Sequence, residues 1–410
     1  MDARVSWMTL GAATLICAGC RDSAPEEIVD LSPRPLSIAV EESPSFLEGT
    51  KSGEAALEAV PNELKLHSTF GPSQKKKIIA ALGPAESRLV KSLAGTWDRR
   101  YEAPPLDQIP EWAQGWNWLA RSLDWQAQEA MNQQNWPLAA QKSITAIQFG
   151  LKWSVGDCFD AVGGCTIAET HALRLAPSIT QMGPRTLEAL SAGVQYGLKG
   201  LENPEVTLMN EQQRLAATMQ ALQEACRKEG YDGMRPIIGP SSHDGALWVK
   251  NNRKKLGWFF RSFLDECQRI SAEYVDFSLG AKPFDADIYD QGAERWDGIL
   301  RPWRDMTPHA MAGHEAYRKA RLSAVARLRL LAASCAIEAK LKREGRAPKD
   351  LTFLPESIRK DPYGSGDLAY RPGTVTYRIW SVGPNGVDDG GLVDPGAVVL
   401  DMGLSSPVTD

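Results

Sequence analysis

The chain has no excess of basic residues, and this absence excludes one broad class of function. Lys and Arg number 46 against 51 Asp and Glu, which gives the 410 residues a formal net charge of −5 at pH 7. Proteins that bind nucleic acid present a basic surface to the phosphates, so we expect no nucleic-acid partner. The sequence also lacks the glycine-rich fingerprints of phosphate loops and dinucleotide sites.

The apolar run near the N-terminus is too short to cross a membrane. It covers residues 5–19 and is interrupted by Ser6, Thr9 and Thr14, whereas a spanning helix needs roughly 20 apolar residues. A short apolar run after a brief head is typical of a secretion signal rather than of an element of the fold. Residues 1–19 are therefore predicted to be a signal peptide.

The end of this run resembles the signal of bacterial lipoproteins. Arg4 precedes it, and the small residues Ala18 and Gly19 stand directly before Cys20. The resemblance implies cleavage after residue 19, attachment of lipid such as palmitate to Cys20, and a membrane-anchored lipoprotein of the cell envelope facing the periplasm or the exterior. An ordinary cleaved signal and an uncleaved anchor are the alternatives, and all three export the chain.

The cysteines do not form an even set. Seven are present, and removal of Cys17 with the signal and acylation of Cys20 leave five, so at least one is free or pairs between molecules. On one continuous helix, Cys158 and Cys165 would lie about 10 Å apart along the axis, beyond the roughly 7 Å between Cα atoms that a disulfide allows. A bridge is expected only if the glycines at 163–164 break the helix.

Periodicity and composition predict a mainly α protein. Residues 20–64 are rich in Ser, Pro and Glu and indicate a lipidated cysteine with a flexible tether. Residues 65–306 indicate a multi-helix domain of antiparallel helical hairpins, with helices near 138–153, 187–201 and 205–229. Residues 307–410 indicate one long helix, from Pro308 to Glu344, followed by a small antiparallel β module with strands at 368–371 and 375–380.

Six tryptophans cluster in the helical part of the sequence. A surface that stacks on sugars is one interpretation, but core packing is favoured because no telling pair of carboxylates accompanies them. The cluster comprises Trp112, Trp116, Trp118, Trp125, Trp136 and Trp153.

Residues 75–77 are three lysines at the start of a predicted helix. A solvated helix end is the favoured interpretation, and contact with anionic lipid is the alternative.

The last hundred residues carry a recognisable pattern. A long helix is followed by LP, then DPYG at 361–364 and YRIWSVGPNGVDDGG at 377–391. This combination resembles the C-terminal module of type II secretion major pseudopilins, as also found in a group of bacterial envelope proteins with helical N-terminal regions. The equivalent helix here is internal and carries several arginines, so the resemblance implies a shared module rather than assembly of a pilus.

The same resemblance implies a calcium site. The corresponding pseudopilin loop binds calcium, and the matching residues here are Asn385, Asp388 and Asp389. Carboxylate and amide oxygens on a flexible loop are suitable calcium ligands. Gly, Asn and Asp are equally the residues that any tight turn selects, so a plain turn is the alternative. A structural role for the ion is favoured over a catalytic one.

Other clusters of reactive residues do not form recognised motifs. His309 and His314 are five residues apart, which places them about 140° apart on a helix, so solvated or capping roles are favoured over zinc binding. Ser242, His243 and Asp244 lack a nucleophile elbow and favour a turn. The acids of the 285–290 run lack the spacing of an EF-hand.

These patterns predict an exported, lipid-anchored envelope protein with a structural or binding role and no identifiable catalytic activity. The partners expected are the membrane, through Cys20, and an envelope protein. One alternative is an envelope hydrolase with a site in the loops around His243 and Asp285. Another is an accessory component of a secretion or pilus-like machine.

Overall fold

The computed structural model describes residues 43–97, 110–201, 204–229, 265, 306–384, 386–391 and 402–405. Within these residues the chain is mainly helical with a small antiparallel sheet, which confirms the predicted fold class. The helices are α1 (Pro44–Ala59), α2 (Asn62–Lys65), α3 (Pro72–Ser92), α4 (Glu111–Asn132), α5 (Trp136–Trp153), α6 (Cys158–Leu175), α7 (Pro184–Leu198), α8 (Glu205–Glu229), α9 (Met306–Glu344) and α10 (Glu356–Arg359). Short 3₁₀ helices span Ala176–Gln181 and Lys199–Leu201.

The sheet follows the long helix. Its strands are β1 (Ala369–Pro372), β2 (Tyr377–Ser381) and β3 (Met402–Ser405), in the order β1-β2-β3 with both pairs antiparallel. In the register, Tyr370 pairs with Ile379, and Ile379 pairs with Leu404. Strand β2 has mostly buried residues because it packs on α9, and the Tyr377 hydroxyl donates to the Ser334 carbonyl of that helix at 3.2 Å.

Local capping explains where the helices begin. The Ser43 hydroxyl accepts from the Phe46 amide at 3.2 Å, and the Asn135 side chain accepts from the Leu138 amide at 3.3 Å. Each cap is followed by a proline in the first helical turn, where no amide hydrogen is needed. At the other end of the chain, Gly345 adopts a φ of 72° and terminates α9.

One core lies between α1, α3, α4 and α5. Its centre is aromatic: the Trp97 ring stacks on Trp116 with centroids 5.0 Å apart, and Phe149 stacks on Trp153 at 5.7 Å. The indole nitrogen of Trp116, which is 1% exposed, donates to the Gly49 carbonyl of α1 at 2.8 Å. Trp118 and Trp153 are also buried. The prediction that the tryptophans form core is confirmed for these side chains.

The predicted tether, residues 20–64, is wrong for nearly half of its length. Residues 44–59 form α1 and residues 62–65 form α2, and the buried face of α1 contributes Phe46 and Ala56 to the aromatic core. Most of that face consists of Gly49, Ser52, Gly53 and Ala56. These small residues let α4 approach closely, but they give little of the large-apolar periodicity by which a buried helix is recognised in a sequence.

A second core joins α5, α6 and α7 to α9 and the sheet. Leu328, Leu331 and Cys335 of α9 are fully buried among side chains of the earlier helices. The Ser191 hydroxyl of α7 donates to the Ala332 carbonyl at 2.9 Å. The long helix, which the sequence pattern assigned to a separate C-terminal unit, thus shares its core with the preceding helices.

Helix α6 is continuous through its pair of glycines. Cys158 and Cys165 are both buried and free, as expected for an unbroken helix. A Cβ atom on Gly164 would lie 2.2 Å from the Gly150 carbonyl oxygen of α5. The absence of a side chain at Gly164 therefore allows α5 and α6 to approach closely.

Among the helices that the structure describes, none combines the length and the apolar character needed to span a bilayer.

Candidate functional site

The C-terminal loop that was predicted to bind calcium is organised by a buried carboxylate. Asp361 accepts from the Ser381 hydroxyl at 2.6 Å, from the Val382 amide at 2.8 Å and from the Tyr363 amide at 2.9 Å. One side chain therefore joins the DPYG turn to the SVG turn. Three donors on one carboxylate satisfy its charge inside the module. Sequence reasoning did not assign this role, although an Asp before a proline turn is a common turn organiser.

The predicted ligand Asp388 has a structural partner in the same loop. Its Oδ1 accepts from the Trp380 indole nitrogen at 2.8 Å and from the Gly390 amide at 2.9 Å. The hydrogen bond from Trp380 is the main cause that lowers the pKa of the Asp388 carboxyl, and the Gly390 bond acts in the same direction. Asp388 is therefore ionised at neutral pH and has Oδ2 outside both bonds.

The remaining predicted ligands are only partly placed. Asp389 follows Asp388 and is half-buried, while Asn385 lies outside the described residues. Across the ranges that the structure describes, no group of three or more His, Cys, Asp or Glu side chains could hold a metal ion. The calcium assignment remains a prediction.

The other predicted site residues lie outside the described part of the chain. They are Cys20, Ser242, His243, Asp244 and Asp285.

A group of buried charges lies where α8 packs on the start of α6. Glu211 is 0% exposed, and its Oε2 accepts from the Cys158 amide at 3.2 Å and from Arg214 Nε at 3.1 Å. Arg214 also pairs with Glu211 Oε1, and its Nε lies 3.4 Å from Asp157 Oδ2. Asp157 in turn caps α6 by accepting from the Phe159 and Asp160 amides, each at 2.9 Å.

The two carboxylates of this group raise the pKa of both titratable groups at its centre, Cys158 and Arg214. Burial raises the pKa of the Cys158 thiol well above its usual range, and Glu211 and Asp157 raise it further against the smaller effect of Arg214. For Arg214, burial opposes the charge, but Glu211 and then Asp157 raise the pKa. Cys158 is therefore a protonated thiol at neutral pH and is not poised as a nucleophile.

The long helix α9 closes over this group. A Cβ atom on Gly313 would lie 3.7 Å from Cys158 Cβ and 3.8 Å from Glu211 Oε1. Tyr317 is buried with Cys158 and Leu208. His314 is 1% exposed, so the expectation of a solvated or capping histidine is wrong for His314, because this face of α9 packs inward. The side chain of His309 lies outside the described residues.

Another buried carboxylate connects three helices. Glu86 of α3 accepts from Lys142 Nζ of α5 at 2.5 Å and from Gln126 Nε2 of α4 at 2.6 Å. In both groups the carboxylates accept hydrogen bonds from a neighbouring helix. Breaking a buried ion pair costs about 3–5 kcal/mol. The chemistry that these arrangements support is the fixing of helix positions, not attack on a substrate.

A small, partly open pocket borders the aromatic core. It is lined by Phe46, Trp97, Trp116, Lys152, Trp153, Val155 and Gly156 and has a volume of about 10 Å³. This is the space of a single water molecule. A sugar ring does not fit there, so the buried tryptophans serve packing rather than carbohydrate binding.

Comparison with known proteins gives no relative for this chain. No family model matches it, and neither a curated protein nor a solved structure does so. The resemblances to a lipoprotein signal and to a pseudopilin module therefore rest on the residues that carry them.

Proposed function

We propose that this chain is an exported envelope lipoprotein, anchored through lipid on Cys20, whose helical bundle has a structural or binding role. The observation that carries the proposal is the order of residues at the N-terminus: a short apolar run at 5–19, the small pair Ala18 and Gly19, and then Cys20. A run of this length suits a signal that is removed, and it is too short for a spanning helix.

The packing of the bundle supports a structural or binding role. The buried carboxylates of Glu86 and Glu211 bind side chains that fix the helices in place. Burial raises the pKa of the Cys158 thiol and keeps it protonated. Groups in such states stabilise a rigid scaffold rather than transfer protons or attack carbonyl carbon. A rigid scaffold is what a protein needs in order to present a surface to a partner.

The anchor is tested by the mass of the mature protein and by its distribution between membrane and soluble fractions. The native chain is expected in the membrane fraction, with its N-terminus at Cys20 carrying acyl groups. Cys20→Ala removes the acylated thiol and should abolish that modification. Cys17→Ala is the matched control, since it changes a neighbouring cysteine that the proposal places in the removed signal.

An unmodified N-terminus at any residue other than Cys20 would overturn the anchor. Equal loss of acylation in Cys17→Ala and Cys20→Ala would also count against it, because it would indicate damage to the signal rather than loss of the lipid acceptor.

We further propose that the loop after β2 binds a structural calcium ion through Asn385, Asp388 and Asp389. Gly383, Gly386, Gly390 and Gly391 all have φ between 67° and 77°, a conformation that coils the backbone and that glycine adopts at little cost. The ionised Asp388 keeps Oδ2 outside its two hydrogen bonds. An oxygen-rich coiled loop is the setting in which calcium is bound.

Calcium binding predicts that the melting midpoint of the purified protein rises on adding Ca²⁺ and falls with chelator, because a ligand that binds the native state stabilises it. Asp389→Asn should remove most of this response. Asp350→Asn is the control, since Asp350 is exposed in another turn, where it accepts from the Thr352 amide at 2.9 Å. A native midpoint that is indifferent to both calcium and chelator would disprove the site.

A further inference from the structure

The turn between α2 and α3 carries a local reversal of the protein's charge. Residues 62–77 contain four lysines and one glutamate, a formal charge of +3 in a chain whose net charge is −5. We define the basic corner by the four lysines and the leucine beside the first of them. Its members are Lys65, Leu66, Lys75, Lys76 and Lys77.

The basic corner is open to solvent. Leu66 is 92% exposed, the highest value among the large apolar side chains that the structure describes as exposed. Lys76 and Lys77 are exposed as well. The acid of the segment, Glu63, lies 3.7 Å from Lys77 and leaves the other lysines in excess. An exposed apolar side chain thus follows Lys65 on the turn, and the contact between Glu63 and Lys77 connects this turn to the lysines of α3.

Helix stability does not explain the three consecutive lysines. Helix α3 begins at Pro72, so residues 75–77 directly follow its first three positions, and no acidic residue occupies the first turn. This end of a helix has a partial positive charge and favours acidic side chains. A placement that opposes the local electrostatics indicates that the charges serve another purpose.

The corner stands on a rigid aromatic base. Phe70 packs against Trp118 and Trp125, with ring centroids 5.7 Å and 5.5 Å away. Lys75 Nζ lies 5.5 Å above the Trp125 ring, and the guanidinium of Arg121 lies 5.2 Å from the centroid of Trp118. The α2–α3 turn is therefore fixed on α4, and Arg121 adds a fifth cation to the same side of the bundle.

The charge of the basic corner and the length of chain between Cys20 and α1 both favour a lipid bilayer as the binding partner. A bilayer containing anionic lipid attracts clusters of lysine, and an exposed leucine can enter the boundary between headgroups and acyl chains. Cys20 is separated from α1 by residues 21–43, a length of chain that spans at most about 80 Å when extended. The corner lies beyond the end of α1, about 24 Å along that helix from Pro44. A bilayer that holds Cys20 is within reach of the corner.

We propose that the basic corner is a membrane-contact surface that binds the anionic phospholipid headgroups of the bilayer. The inference rests on the proposed lipid anchor for its biological setting. An electrostatic contact between the lysines and the headgroups adds to the attachment through Cys20 and orients the bundle on the bilayer. The lysines supply attraction to the headgroups, and Leu66 supplies the apolar contact.

The test uses the chain from residue 20 onward with Cys20→Ala, which lacks the lipid acceptor and contains every residue that the structure describes. It is mixed with vesicles of phosphatidylglycerol and phosphatidylcholine or of phosphatidylcholine alone. We expect binding to the anionic vesicles only. The binding should weaken as salt is raised from about 0.05 M to about 0.5 M, because the attraction is screened.

The variant Lys75→Gln/Lys76→Gln/Lys77→Gln removes three charges and keeps most of each aliphatic stem. We expect at least tenfold weaker binding, since each lysine near an anionic surface is worth about fivefold in affinity. The matched control is Lys51→Gln/Lys91→Gln/Lys349→Gln, which changes the net charge equally at three exposed lysines elsewhere. Circular dichroism melts of both variants establish that the helices remain folded.

The proposal would be overturned if the parent chain did not bind anionic vesicles, or if the two triple variants lost binding equally. Leu66→Ser distinguishes a bilayer from a soluble polyanion, because only the bilayer has an apolar interior. Unchanged binding of that variant would point to a polyanionic partner and against a membrane-contact surface. This outcome can be distinguished from failure of the lipid anchor. If the native protein is acylated but its Cys20→Ala form does not bind vesicles, the proposed function stands and only the membrane-contact surface is disproved.

Discussion

His171 lies inside the bundle, on α6, beside Asp124 of α4. It is 2% exposed, its Nε2 is 4.0 Å from Asp124 Oδ1, and Asp124 also pairs with Arg174. Burial lowers the pKa of His171 to about 4. Because the imidazole has a pKa near 6.5 in an unfolded chain, the unfolded state takes up a proton at pH values where the native state does not.

This difference makes stability depend on pH in a defined direction. The contribution of His171 is fully present above pH 6.5 and is lost as the pH falls toward 4, by about 2 kcal/mol between pH 7 and pH 5. Urea unfolding at the two pH values measures the loss. His171→Gln should reduce the dependence by that amount, whereas His67→Gln, at an exposed position, should leave it intact. An unchanged dependence in His171→Gln would contradict the assignment.

Single buried residues were the hardest features to predict from the sequence. Glu211 and Asp157 are ordinary acids in the sequence, and their meeting at Arg214 depends on how α8 packs against α6. The residues of DPYG are those that a turn selects, but the role of Asp361 in joining this stretch to Ser381 required the tertiary structure. Local chemistry predicts a turn, but it does not predict which distant donor a carboxylate will find.

At the scale of elements, the contact between α5 and α6 depends on two glycines that face each other. A Cβ on Gly164 would lie 2.2 Å from the Gly150 oxygen, and a Cβ on Gly150 would lie 2.5 Å from the Gly164 oxygen. Both clashes involve backbone, which cannot move aside as a flexible side chain does. The two helices approach as closely as they do because neither residue carries a side chain.

Neighbouring glycines of α6 provide a matched pair of substitutions. Gly164→Ala should destabilise the native state by about 1–3 kcal/mol, because the helices must move apart. Gly163→Ala, which has open space around its Cβ position, should be neutral or stabilise by up to about 1 kcal/mol through helix propensity. Thermal melts of the two variants compare them directly. A Gly164→Ala protein as stable as Gly163→Ala would show that this close contact is absent.

Helix ends were predicted well because their signals are local. The expected helix at 205–229 is found as Glu205–Glu229, and the predicted stop at Glu344 coincides with the end of α9. Helix α1 was missed because glycine, serine and alanine form most of its buried face. The sequence analysis gave weight to large apolar residues, and a helix that packs through small ones has the composition of a linker.

At the scale of the whole molecule, the two cores differ in how far apart along the chain their components lie. The aromatic core joins residues 46–153, whereas the second core joins residues 140–201 to residues 324–379. The sequence pattern separated the long helix from the preceding bundle because the helix start at Pro308 is a local signal. Packing of α9 against α6 and α7 is a property of the fold, and periodicity alone carries no information about which helices meet.

The participation of α9 in the second core has a consequence for the order of events during biogenesis. Leu175, Leu187 and Leu190 are buried in a core that also contains side chains of α9, which comes much later in the chain. These leucines therefore lack part of their cover until α9 has reached the compartment in which the chain folds. A chain interrupted before α9 would therefore expose an adhesive apolar face, and its timely completion protects the protein from aggregation.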